Sequence, residues 1–318
     1  MSLVRSGSNP TPSAMTRELH VGIQLPEVER FVPWSEYREM ALTAEAAGFD
    51  SLWVGDHLLY RDEDGTRGPW EAWSLLAALA TVTEKVQLGP LVASTSFHNP
   101  VMLAKKAATV DEISDGRLIL GLGAGWNQTE YDAYGFPFDH RVSRFEEAFT
   151  IIRTLLADGE IDFNGVYYSA SECVLDPPAR PGGIPLMIGS QGPRMLSIAL
   201  PHVSLWNGWH AWRGNTADGA RELVADVNEA CRTAGVLPDA IERTMAVLVR
   251  TPGSEDRLVG SPGRPLSRAI GGTQEQIAES LLEFSAAGIS QVQLVVDPIT
   301  VESVDWLRGV LEVLDRQT

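Results

Sequence analysis

Short apolar runs alternate along the chain with longer segments whose apolar residues recur every three to four positions. Runs of the first kind are LHVGIQL at 19–25, SLWV at 51–54, VQLGPLV at 86–92 and RLILGL at 117–122. The second half adds PLMI at 185–188, VSLW at 203–206, RTMAVLVR at 243–250 and QVQLVV at 291–296. These eight read as strands, apolar on both faces and therefore buried on both. Helical periodicity marks 35–47, 70–82, 99–113, 141–157, 192–200, 216–234, 273–287 and 300–315. Two of these open on clear start signals, Asn99-Pro100 and Gly272-Thr273. Strict alternation predicts parallel strands with helical crossovers, and a count of eight favours closure into a (β/α)8 TIM barrel over an open doubly wound sheet.

Two segments exceed ordinary loop length and are expected as insertions at the C-terminal mouth of the strands. Residues 158–184 read as a small β-excursion, and 251–272 are rich in Gly, Pro and Ser. Residues 1–18 lack an apolar h-region and read as a disordered N-terminal tail, leaving 19–318 as a single barrel domain. No apolar run approaches the ~20 residues of a membrane span. The net charge of −17 argues against nucleic acid and anionic membrane surfaces as partners. Cys173 and Cys231 are far apart and belong to no C-x-x-C, which fits reduced thiols in a cytoplasmic protein.

In this fold catalytic groups gather where strands end. The stretch GRLILGLGAGWNQTEY, 116–131, places Gly121, Gly123 and Gly125 there, but the spacing is not the G-x-G-x-x-G of a dinucleotide loop. A better phosphate candidate is Gly189-Ser190-Gln191-Gly192, which joins a strand to a helix opened by Pro193. Asp56-His57 follows the second strand directly, and His98 precedes the third helix. Either histidine can act as a general acid or brace a loop. Trp70, Trp73, Trp206, Trp209 and Trp212 fall near strand or loop ends and suit a pocket for a planar ligand. No metal-ligand spacing and no G-x-S-x-G elbow is present.

Together these motifs resemble the bacterial luciferase-like superfamily of flavin- and deazaflavin-dependent oxidoreductases. The similarity is carried by 99–138, by RVSRFEEAFTIIRTLL at 141–156, by FNGVYY at 163–168, by IPLMIGSQGPRML at 184–196 and by 271–298. It implies a ring cofactor across the C-terminal mouth, with its phosphate on Gly189, Ser190, Gln191 and Gly192. It also implies a bulged or cis peptide behind the ring near Gly89-Pro90-Leu91, where Pro90 eases a cis bond. The sequence WVGDHLL resembles the branch that uses the deazaflavin coenzyme F420. There Asp56 would contact the cofactor and His57 would lie near the reacting ring edge.

Trp126 stands where sugar-phosphate dehydrogenases of that branch carry an acidic glutamate, so the resemblance assigns no proton donor and His57 is the first candidate. Gly123 and Gly125 are expected against the cofactor, and Trp126, Trp209 and His98 around the substrate. The implied function is hydride transfer between coenzyme F420 and a small organic substrate by a homodimer. The coenzyme's polyglutamate tail would prefer a basic track, and Lys and Arg are only scattered. Flavin mononucleotide (FMN) in a monooxygenase is therefore one alternative, and a non-catalytic flavin-binding barrel is another.

Overall fold

The computed structural model describes residues 17–62, 65–254 and 268–317. Eight parallel strands occupy the expected positions. In order they are His20–Gln24, Ser51–Val54, Gln87–Pro90, Leu120–Gly123, Leu186–Ile188, Leu205–Trp209, Glu242–Arg250 and Gln291–Asp297. Neighbours in sequence are neighbours in space. The first strand also pairs with the eighth, Val21 opposite Val292, which closes the barrel on that side.

The third strand is the irregular one. Gln87–Pro90 pairs with the second strand, Trp53 opposite Gly89. The chain then breaks step through Leu91 and Val92, and Ala93–Ser94 pairs with the fourth strand, Ser94 opposite Gly123. A cis peptide joins Leu91 to Val92. The cis bond expected at Pro90 thus falls two peptide bonds further on and does not involve the proline. Leu88 bridges to Leu118 and completes the ring.

Inside the barrel, Trp53, Ile119, Met187 and Leu205 pack together beneath Leu91 and Val92. The larger apolar core lies between the strands and the surrounding helices. Several helices begin on side-chain caps that the sequence announces. Asn99 accepts from the Met102 N–H, and Thr273 and Gln276 form a reciprocal capping box. The expected β-excursion is an antiparallel hairpin, Glu160–Asn164 with Ser169–Val174.

Several expectations need correction. The segment expected as one helix at 300–315 is two, Val301–Trp306 and Arg308–Arg316. The Trp306 carbonyl accepts from the Gln274 side chain at 2.7 Å instead of continuing the helical ladder, and Gly309 leaves room for that side chain. The sixth strand starts at Leu205 because 200–202 form a 3-10 turn. A hairpin at Tyr60–Asp62 and Gly65–Arg67 and a helix at Gln128–Tyr134 stand where only loops were expected. Of the expected N-terminal tail, 1–16 lie outside the described residues, as do 255–267 of the loop at 251–272. Arg17 is buried and ion-paired with Asp50 at 2.9 Å and Asp315 at 3.0 Å.

Candidate functional site

A cavity of about 690 Å³ opens at the C-terminal ends of the strands. Its wall is assembled from seven strand ends or the loops that follow them. Leu91 and Val92 project into it from the break in the third strand, with Gly123 on one side and Gly189 beyond. A Cβ on Gly121, Gly123 or Gly189 would come within 2.8–2.9 Å of the Val92 side chain. These glycines therefore give the Val92 bulge its space. Gly125 is different: its φ is +73°, and a Cβ there would meet the Tyr131 hydroxyl at 2.1 Å.

His57 sits at one end of the cavity, 19% exposed at the side chain. Its Nδ1 faces both oxygens of Glu130, at 3.2 and 3.0 Å. Glu130 is fully buried and also accepts the Leu58 N–H at 2.5 Å and the Leu59 N–H at 3.2 Å. One carboxylate thus fixes both the imidazole and the turn that carries it. The other ring nitrogen, Nε2, lies 4.0 Å from Glu27 Oε1, which accepts the Tyr60 hydroxyl at 2.8 Å. Gln24 Nε2 donates to the other Glu27 oxygen at 3.1 Å.

Charge decides the state of this cluster. Burial acts to lower the His57 pKa, but the neighbouring Glu27, Glu130 and Asp56 outweigh it and raise the value to about 9. His57 is therefore an imidazolium at neutral pH. Burial pushes Glu27 above the usual carboxylate range, although the charge of His57 works against it. Burial, then Glu27, hold the Tyr60 phenol neutral.

Asp56 is buried, and one of its oxygens accepts the Ser94 N–H and faces His98 Nε2, each at 2.8 Å. It lines the cavity while it ties the second strand's end to the third. Around His57 stand Tyr60 and Trp126, with ring centroids 4.9 and 5.7 Å away. Trp209 and Trp212 line the opposite side. Gly189, Ser190, Gln191 and Gly192 form a further stretch of wall. The Gly192 N–H donates to Ser190 Oγ at 3.1 Å and the Gly189 N–H to Leu122 O at 3.0 Å, so both are engaged within the protein. Arg141 is the only lysine or arginine among the described lining residues, and it donates to the Gly125 carbonyl at 2.7 Å.

Of the expected site residues, the structure gathers His57, Asp56, Leu91, Gly123, Gly125, Gly189, Ser190, Gln191, Gly192, Trp126 and Trp209 around one cavity. It does not bring Gly89, Pro90 or His98 there. Gly89 and Pro90 are buried in the strand below, and His98 lies behind Asp56 with its ring edge-on to Trp73. Of the tryptophans expected at the rim, Trp73 and Trp206 are buried and Trp70 lies against Phe31, none of them lining the cavity.

Gln24 and Asn207, at the ends of the first and sixth strands where catalytic groups are expected to gather, line the wall, whereas sequence reasoning missed Glu130, Glu27 and Arg141. The fit to a flat ring with polar edges is good on two counts. The floor is apolar around Leu91 and Val92. Gln24 Oε1, buried in the wall, has no hydrogen-bond partner among the described residues and can accept a donor from a ligand.

Comparison with known proteins adds to this geometry. The family pattern described as luciferase-like monooxygenase matches residues 11–258. A 5,10-methylenetetrahydromethanopterin reductase of Archaeoglobus fulgidus is 34% identical over 172 residues, 53% of this chain and 48% of that protein. An F420-dependent glucose-6-phosphate dehydrogenase of Amycolatopsis mediterranei is 36% identical over 177 residues, 54% of this chain and 52% of that protein. The chain thus spans about half the length of these two curated relatives. Among solved structures, an F420-dependent secondary alcohol dehydrogenase in complex with an F420-acetone adduct superposes with a TM-score of 0.79 at 21% identity. That match covers 93% of this chain and 99% of the other.

Proposed function

We propose, from the premise that this chain belongs to the luciferase-like monooxygenase family, that it transfers a hydride between the deazaflavin coenzyme F420 and a small organic carbonyl compound. One observation carries the reading. The cavity is lined by an imidazolium, His57, whose Nδ1 is fixed by buried Glu130 and whose Nε2 lies 4.0 Å from Glu27 Oε1, another residue of the wall. The similarity to two relatives named for F420-linked or methanopterin chemistry supports the choice of coenzyme over FMN.

Leu91 and Val92 would support the ring, Gln24 Oε1 would accept a donor at its edge, and Gly189–Gly192 would hold the phosphate end. A phosphate there would compete with Ser190 Oγ for the Gly192 N–H. The coenzyme, when bound, supplies the hydride-exchanging carbon. The protein supplies the rest: it orients the substrate, excludes water and provides the proton. As the carbonyl carbon gains hydride, His57 Nε2–H donates to the carbonyl oxygen, giving an alcohol and a neutral imidazole. A donor charged at neutral pH favours the reductive direction. Trp126 and Tyr60 shield it from bulk water.

We further assign the protein to the cytoplasm, working as a homodimer. No helix among the described residues is long and apolar enough to cross a membrane. The test is turnover of reduced coenzyme with a panel of ketones and enones under argon. Consumption of the coenzyme without oxygen supports the reading. Oxygen uptake with reduced FMN, and none of the anaerobic turnover, would replace it with a monooxygenase.

A further inference from the structure

We infer that the substrate end of the cavity selects neutral, ring-bearing carbonyl compounds and rejects phosphorylated or otherwise anionic ones. This rests on the function proposed above and names the substrate class of the same site. It departs from the sugar phosphate for which one of the relatives is named.

His57 Nε2 is the donor that a substrate oxygen must reach. Glu27 Oε1 lies 4.0 Å from that nitrogen, and Glu130 lies against the other side of the ring. The imidazolium is thus flanked by two carboxylates, and no positive charge is left over to attract an anion. Asp56 also lines this end. Among the described lining residues the only other cation is Arg141, and it is held by the Gly125 carbonyl and the face of Phe138, with its guanidinium 4.2 Å from the ring centroid. A phosphate brought to His57 would set its charge against that of Glu27, and like charges juxtaposed in a site disfavour binding. A neutral carbonyl oxygen carries no such penalty.

The aromatic residues point the same way. Trp126 is 48% exposed, and its ring stands 5.7 Å from His57 and 6.2 Å from Tyr60. With Trp209 across the cavity, the substrate end offers flat apolar faces rather than donors for sugar hydroxyls.

Calorimetric titration of the protein, with and without bound coenzyme, against cyclohex-2-enone and against glucose 6-phosphate tests this directly. The enone should bind saturably, and the sugar phosphate at least about 100-fold more weakly. Trp126→Ala should weaken the enone by about tenfold and leave the sugar phosphate unaffected. Glu27→Gln should strengthen the sugar phosphate and narrow the gap between the two ligands. Glucose 6-phosphate binding as tightly as the enone, an enone that fails to bind, or a gap unmoved by Glu27→Gln overturns the inference. Failure of the protein to bind the coenzyme would instead count against the functional reading, because the cofactor-free titrations read the selection separately.

Discussion

In the proposed reaction His57 acts through its two neighbours, Glu130 and Glu27. Substituting His57→Asn removes the donor and should lower the reductive kcat by about 10²–10⁴-fold while coenzyme affinity holds. The raised pKa gives the pH dependence its sign. The donor form is present below about 9 and is lost above it, so reductive turnover should fall as pH rises through that value. Glu130→Gln takes away a charge that raises this pKa, and the falling limb should move toward neutral pH in a pH–rate profile. An unmoved limb would mean that some other group donates. Gly125→Ala places a Cβ against Tyr131 at a positive φ and should cost about 1–3 kcal/mol in a urea melt. At this scale the sequence was half legible. His57 stood out because Asp-His follows an apolar strand directly. Glu130 did not, because it lies 73 positions away on a short helix that reads as loop. Glu27 is hidden in LPEVER, an acidic run of the kind that normally faces solvent. Distance in sequence concealed Glu130, and a surface-like acidic context concealed Glu27.

Among the elements, the third strand determines the site. Its break at Leu91–Val92 turns apolar side chains into the cavity, and the glycines of the fourth and fifth strands make space for it. The opposite, N-terminal end of the barrel is pinned by Arg117, which donates to Ser114 O, Thr83 Oγ1, Val86 O, Ala80 O and Thr83 O. Arg117→Met would leave partly buried carbonyls unpaired and should lower stability by about 2–4 kcal/mol in the same melt, without altering coenzyme affinity. Thr273→Ala, at the capping box, should cost only about 1 kcal/mol. Strand and helix order could be read from the alternation because buried parallel strands leave uninterrupted apolar runs. The hairpin after the second strand and the division of the last helical segment could not be read. The first rests on polar residues without periodicity. The second depends on one hydrogen bond from Gln274, which no local pattern records.

The whole molecule is a closed barrel whose chemistry collects at one end, with acidic side chains and aromatic faces on the substrate side and glycine-rich backbone on the other. The carboxylates that hold His57 charged also make that end unwelcoming to anions, so acid strength and substrate choice have one physical source. The order of the strands makes the arrangement possible: adjacent strand ends bring His57, Val92, Gly123 and Gly189 together from across the sequence. The central claim is that this mouth binds the deazaflavin coenzyme, and the most direct test is equilibrium titration of the cofactor-free protein with oxidised F420 and, separately, with FMN, followed by absorbance. Saturable binding of F420, with FMN binding at least about tenfold weaker, is the predicted result. Tight binding of FMN with no binding of F420 would contradict it.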